Sequence, residues 1–320
     1  LNKYKKRFKR LLIIDGSYLL FRSLHVPELY DMTNDEGFKV GGIYQFLRSF
    51  NMENRKQIGY APICVFDGGI SERRSKLYPD YKDRKVRSDS LKYKKVDPDE
   101  FLESYKLQRD VLIEMIKDFG IPTLHIKGFE GDDLIYILCQ ITEDAVILSD
   151  DKDFLQLVSD NVKVSRPLAN EIVTLKSLSK QGYTPELYLI EKCLVGDRSD
   201  NIPNVTRGLG PKNAKRIASV IYDNPDDYLN ILYESDKKVD IGFVENHSNY
   251  TLNRKLIDLS FNDDLDEENI EEILRHLNID AVKKDYFKAA KWLGDYNISN
   301  IDIDTIMLSV DSFKKHILEG

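Results

Sequence analysis

The sequence predicts an α/β fold with a mainly parallel central sheet flanked by helices, followed by a mostly helical C-terminal part. Two observations carry this. Short aliphatic runs that end in an acidic residue recur, and helical patterns separate them. Such runs suit strands buried on both faces, and strand–helix alternation builds a parallel sheet.

The first run is "LLIID", ending at Asp15, and the helical stretch "GGIYQFLRSFNMEN" follows it. The second, "PICVFD", ends at Asp67, and "DEFLESYKLQRDVLIEMIKDFG" follows after a basic insertion. That helix is predicted to stop at Gly120, just before Pro122. The third, "PTLHIKGFE", ends at Glu130 and leads into "GDDLIYILCQITED", read as helix over residues 131–144. The fourth, "AVILSD", ends at Asp150. After about residue 183 the texture becomes helical. "TPELYLIEKCLVGD" is predicted as a helix with Thr184 as its cap and Pro185 in its first turn. "NIPNVTRGLGPKNAKRIASVIY" is a glycine-bearing turn between helices. The expected division is an α/β unit over 1–182, with an insertion at 71–98, and a helical unit over 183–320.

The chain has 320 residues, of which 42% are hydrophobic, so it can bury a sizeable core. Its net charge of −7 hides segregation. Residues 1–10 hold six basic side chains and no acidic one, and residues 71–95 hold ten basic and four acidic. Residues 261–272 hold seven acidic and no basic ones, a solvated face or a partner contact. Three widely spaced cysteines are expected to be reduced and buried. No run is long enough to cross a membrane, so a cytoplasmic location is expected. Leu1 is not an initiator methionine, which leaves the native start open.

In parallel sheets the ligand site lies beyond the carboxyl ends of the strands. Asp15, Asp67, Glu130, Asp132, Asp151, Asp153, Asp197 and Asp200 are therefore expected to crowd one cleft. Individually each could cap a helix. As a set they would repel one another unless cations neutralised them. Oxygen donors suit hard ions, Mg²⁺ or Mn²⁺, and a pair of such ions suits phosphodiester hydrolysis. The chain has no zinc-type His/Cys cluster, no EF-hand spacing, no G-x-S-x-G and no Walker A sequence. His25 and His125 are read as structural.

The insertion "SERRSKLYPDYKDRKVRSDSLKYKK" interleaves bases with tyrosines at the cleft's mouth. It reads either as a solvated loop or as a nucleic-acid surface. In the second reading Arg73, Arg74 and Arg84 hold phosphates, and Tyr81 and its neighbours stack on unpaired bases. Gly208 and Gly210 precede a helix whose free amides, with Lys212 and Lys215, can take a phosphate.

Several stretches together carry a family resemblance: "IIDGSYLLFRSLH", "TNDEGFKVGGIYQFL", "VFDGG", "YPDYKDRK", "GFEGDDLI", "SDDKDFLQLV" and "GDRSDNIPNVTRGLGPKNA". The chain resembles the 5′-to-3′ exonuclease and flap endonuclease family, over about residues 11–220. The resemblance implies a PIN-like nuclease fold and two metal positions. Asp15, Asp67, Glu130, Asp132 and Asp151 would surround the first, and Asp153, Asp197 and Asp200 would serve the second. Asp133 matches a family acid, or caps. Lys82 matches the lysine that stabilises charge on the scissile phosphate, and Lys85 stands where arginine is usual. Residues 71–98 would form an arch accepting a free 5′ strand. Residues 201–220 would form a helix–hairpin–helix that grips duplex DNA, with K⁺ as a further ligand. Arg22 and Tyr44 match substrate-side positions. Two departures stand out: Asp150 replaces a glycine, and so does Asn204, where left-handed backbone angles are expected.

The implied function is a divalent-metal-dependent, structure-specific 5′ nuclease that cleaves flaps and removes RNA primers. Branched or flapped DNA and RNA–DNA hybrids are its expected substrates. A replication polymerase or a single-strand-binding protein is its expected partner. The protein is expected to be monomeric and of the stand-alone phage type, acting in a bacterial host. The competing readings are a non-catalytic branched-DNA-binding module and an α/β phosphatase.

Overall fold

The computed structural model describes residues 5–83, 97–261, 267–277 and 282–318. The chain opens with β1 (Phe8–Asp15), α1 (Gly16–Ser23), α2 (Pro27–Tyr30) and α3 (Gly41–Lys56), then β2 (Ala61–Phe66) and the short α4 (Glu72–Leu77). Helix α5 (Pro98–Asp118) follows, then β3 (Thr123–His125), α6 (Gly131–Gln140) and β4 (Thr142–Leu148). A 3₁₀ turn (Lys152–Leu157), β5 (Val162–Arg166), β6 (Glu171–Val173) and α7 (Leu175–Lys180) complete this part.

The six strands form one sheet in the order β3-β2-β1-β4-β5-β6. All pairs are parallel except β5–β6. Strand β1 lies inside the sheet, with Leu11 opposite both Ala61 and Ala145. Its Leu11, Leu12, Ile13 and Ile14 are wholly buried, each contributing roughly 1.5–3 kcal/mol relative to exposure. A charge at any of them would disrupt the fold. Helix α5 begins as its sequence dictates. Pro98 is the first helical residue, and the Asp97 side chain accepts bonds from the amides of Asp99 and Glu100. Gly120 follows its end in the left-handed region at φ +81°.

Three expectations need correction. The helix read over 131–144 ends at Gln140, because residues 142–144 join the β1 ladder, with Thr142 opposite Phe8 and Asp144 opposite Arg10. The third run is a strand only over 123–125. Strands β5 and β6 were not anticipated, since "VKVSR" and "EIV" are short and broken by polar residues.

The C-terminal part comprises α8 (Pro185–Val195), α9 (Pro211–Asp223), α10 (Tyr228–Tyr233), α11 (Lys238–Glu245) and α12 (His247–Ile257). Helix α8 is capped by Thr184 as expected. These helices share a core of their own, which includes Leu189, Cys193, Ile217, Phe243 and Tyr250 and also takes in Tyr81. Helices α13 (Glu267–His276), α14 (Tyr286–Asp295) and α15 (Ile303–Lys315) behave differently. Their Ile270, Ile273, Leu293, Ile306 and Phe313 belong to the core under the sheet. Phe8 of β1 even bridges to Ile317. By their packing α13–α15 thus go with the first core and not with α8–α12. All three cysteines are buried and unpaired. No helix among the described residues is long and apolar enough to cross a membrane.

Candidate active site

Asp15 ends β1 and caps α1. Its Oδ1 accepts the amide of Tyr18 at 2.9 Å, and its Oδ2 accepts the Ser149 hydroxyl at 2.9 Å. Asp67 directly follows β2, and its Oδ1 accepts the Gly131 amide at 2.7 Å. Asp132 sits in the first turn of α6, and Asp151 caps the 3₁₀ turn after β4. Strands β2, β1 and β4 are sheet neighbours, so their carboxyl ends carry these acids to the same end of the sheet. Burial and mutual repulsion both act on them. Burial pushes Asp15 up to about 7, with the charges of Asp67 and Asp151 adding to the shift. Asp132 is raised well above its ordinary value, by desolvation first and Asp151 second.

A second set surrounds Glu130. Its Oε2 accepts from Lys82 Nζ at 2.8 Å, the Tyr81 hydroxyl at 3.0 Å and Arg74 at 3.2 Å. Its Oε1 accepts the Ser71 amide at 2.9 Å. Burial opposes the charge of Glu130, but Lys82 and Arg74 overcome it and hold the pKa below the ordinary value. Lys82 also reaches Asp200 at 3.8 Å, and its amide donates to the Asp200 carbonyl at 3.0 Å. Desolvation works against its ammonium, yet Glu130 and Asp200 raise its pKa. The φ of Lys82 is +53°, an uncommon conformation for a side chain with a Cβ and one found enriched at functional sites.

The third set was only half foreseen. Lys192, in the last turn of α8, joins Asp153 and also contacts Asp197 at 3.0 Å. Burial opposes the charge of Asp197, and Lys192 lowers its pKa nonetheless. The available signal was a lysine just over one helical turn before Asp197 in "EKCLVGD". It was absorbed into the amphipathic pattern of the helix.

Two substrate-side expectations change, those for Arg74 and Tyr81. Arg74 is buried, gripping Asp133 through two guanidinium nitrogens at 2.8 Å each and donating to the Leu256 carbonyl at 2.9 Å. It cannot present its charge to a phosphate. For the same reason the oxygens of Asp133 are occupied by Arg74, and Asp133 is not a free ligand. Tyr81 is 5% exposed and cannot stack on a base. Arg73 donates to the Lys255 carbonyl at 2.8 Å and lies over the Phe261 ring. Arg22 lies half-buried against Tyr18, and Tyr44 packs on the core below Arg48. Arg84 and Lys85 lie outside the described residues. Asp150 is used structurally, since it accepts the Tyr18 hydroxyl at 2.6 Å and the Leu168 amide at 3.0 Å. Among the asparagines of the hairpin, Asn201 adopts the left-handed angle and Asn204 does not.

In the turn before α9, Gly208 has φ +82° and Gly210 is the cap residue without a side-chain bond. The first amides of α9 thus face outward beside Lys212 and Lys215. Both lysines line a hollow with Tyr183 and Glu191, and Lys215 Nζ lies 4.2 Å from the Tyr183 ring centre. Arg216 is drawn away into an ion pair with Asp240.

Among the described residues, no group of three or more His, Cys, Asp or Glu side chains is gathered closely enough to hold a metal ion as it stands. Four of the acids are paired off by ammonium groups, Glu130 and Asp200 by Lys82, and Asp153 and Asp197 by Lys192. Cations already occupy the gaps between carboxylates. Together with an all-oxygen donor set, this fits hard divalent ions.

Residues 10–184 match the family model described as the 5′-3′ exonuclease N-terminal resolvase-like domain. A 5′-3′ exonuclease of Aquifex aeolicus is 35% identical over 214 residues, 65% of this chain and 68% of that protein. A 5′-3′ exonuclease of Buchnera aphidicola from Acyrthosiphon pisum is 29% identical over 298 residues, 87% and 97% of the two chains. The fold is that of the bacteriophage T5 flap endonuclease, solved in a complex with DNA and metal ions. There the TM-score is 0.61 at 20% identity, covering 84% of this chain and 100% of that one. The protein is thus a nuclease, an enzyme that acts on phosphodiester bonds. More particularly, the chain belongs to the 5′-3′ exonuclease family.

Proposed function

We propose that the cleft cleaves phosphodiesters at 5′ ends and 5′ flaps of DNA, and in RNA primers paired to DNA, with Mg²⁺ or Mn²⁺ as cofactor. Asp15, Asp67, Asp132 and Asp151 would hold one ion, with Glu130 behind them. Asp153, Asp197 and Asp200 would hold the other. Divalent cations bound there would supply Lewis acidity and neutralise charge on the scissile phosphate. The chain's own groups orient the reaction. The Tyr18 amide and Ser149 hydroxyl set both oxygens of Asp15, and the Gly131 amide sets Asp67. Lys82, tied to Glu130 and Asp200, is poised to pass its ammonium contact to a phosphate oxygen as negative charge builds.

Residues 71–98 would receive the 5′ single strand. The turn with Gly208 and Gly210, with Lys212, Lys215 and the N-terminus of α9, would hold the duplex backbone, with K⁺ at its carbonyls. The Asn201 side chain donates to the Asp80 carbonyl at 2.9 Å, which ties the two substrate elements to each other. A replication polymerase or single-strand-binding protein would hand over the substrate to a monomer.

One observation carries this reading: acids from β1, β2, α6 and β4 meet at one end of the sheet, with Lys82 at their rim. The test is cleavage of an end-labelled flap, a nicked duplex and an RNA–DNA hybrid with Mg²⁺ and with EDTA. Cleavage near the branch with Mg²⁺ alone is expected. Intact substrates at saturating Mg²⁺ would overturn the reading.

A further inference from the structure

The two halves of the cleft are neutralised differently. Among the described residues its ion pairs go to Glu130, Asp133, Asp153, Asp197 and Asp200, and none reaches Asp15, Asp67, Asp132 or Asp151. The Lys192 side chain is only 15% exposed. It leaves the last turn of α8 and its ammonium joins Asp153, from the turn after β4, to Asp197, from the loop after α8. The 3₁₀ turn and α8 pack against each other, and this one positive charge bridges a carboxylate from each side of that contact. A dication bound to the same oxygens would stand at contact distance from that ammonium, and like charges so close repel strongly in a partly buried site.

We propose that Lys192 is a resident cation that sets the loading threshold of the second metal position. It holds Asp153 and Asp197 together before metal arrives, and it must withdraw for a dication to replace it. The long, flexible lysine stem suits such a movement, and its compact ammonium makes a point contact instead of a locked fork. The two positions therefore load at different metal concentrations, the one nearer Asp15 first. This inference rests on the metal-dependent reading above.

The experiment follows Mn²⁺ binding to the full chain without DNA, by calorimetry and by the paramagnetic resonance of free Mn²⁺. Wild type should show a tighter and a weaker class of site. Lys192→Met removes the charge and keeps the length. It should tighten the weaker class at least tenfold and leave the tighter one unchanged. Adding Asp197→Asn should abolish the gain. Lys192→Gln, which can still bond to both acids, covers the case in which the methionine variant does not fold. If Mn²⁺ binds but neither neutral variant moves the weaker class, or both weaken it, the threshold role of Lys192 is wrong. If no variant and no wild-type protein binds Mn²⁺ at all, the metal-dependent reading fails, and this inference with it.

Discussion

Arg74 and Asp133 form a two-pronged ion pair with both nitrogen–oxygen distances at 2.8 Å, and Arg74 is one of the largest fully buried side chains of the described residues. The pair joins the base of the basic insertion to the first turn of α6. Through the Leu256 carbonyl it also reaches the end of α12. Removing one partner strands a buried charge, a change that typically costs about 3–5 kcal/mol. Arg74→Ala should lose stability of that order in urea unfolding. Adding Asp133→Ala to it should cost much less than a second full increment. Additive losses would mean the pair is not a unit.

Lys82 meets Glu130 and Asp200 but does not hold the fold's core. Lys82→Ala should lower kcat by roughly 10²–10³-fold, the usual loss for an electrostatic donor, and leave flap-DNA affinity largely intact. Single-turnover cleavage and a binding titration separate the two. Near-normal turnover would remove the lysine from the chemistry.

Gly196 precedes Asp197 with φ +72°, and a Cβ there would stand 2.4 Å from the carbonyl oxygens of Ile202 and Pro203. Gly196→Ala should therefore destabilise the loop carrying Asp197 and Asp200, by about 1–3 kcal/mol from the backbone angle alone, and more from the overlap. Gly210 has ordinary angles and open space around it. Gly210→Ala should unfold like wild type, and any loss should appear only in duplex binding. Equal thermal shifts for the two variants would contradict this.

Trp292 is the single tryptophan, and its indole donates to Asp118 at 2.9 Å, with Lys288 on the other oxygen at 3.0 Å. The indole bond first, and Lys288 after it, hold Asp118 below its ordinary pKa. A carboxylate lowered on folding adds stability that is present above its unfolded pKa and is lost as pH falls through its folded pKa. Tryptophan emission should thus change below about pH 4, near the unfolded aspartate value, as α14 loosens from α5. Asp118→Asn should lack that step. An identical acid profile in the variant would rule the contact out as its source.

Much of the nuclease was readable from the chain alone. Aliphatic runs ending in Asp15, Asp67 and Asp150 read as buried strands, because they are short and rich in branched side chains. Parallel pairing then puts their carboxyl ends at the same end of the sheet, so the placement of Asp15, Asp67 and Asp151 along that edge was foreseeable. Capping signals were equally local, and Thr184 and Pro185 act within their own helix. What tertiary structure alone decided was the partner of each charge. Whether Arg74 faces DNA or Asp133, whether Tyr81 stacks on a base or bonds to Glu130, and whether Lys192 points to water or to Asp153 all depend on which elements lie opposite. The same holds for α13–α15, whose helical character was legible but whose return to the first core was not. Periodicity tells which side of a helix must be buried. Only the packed chain determines against what.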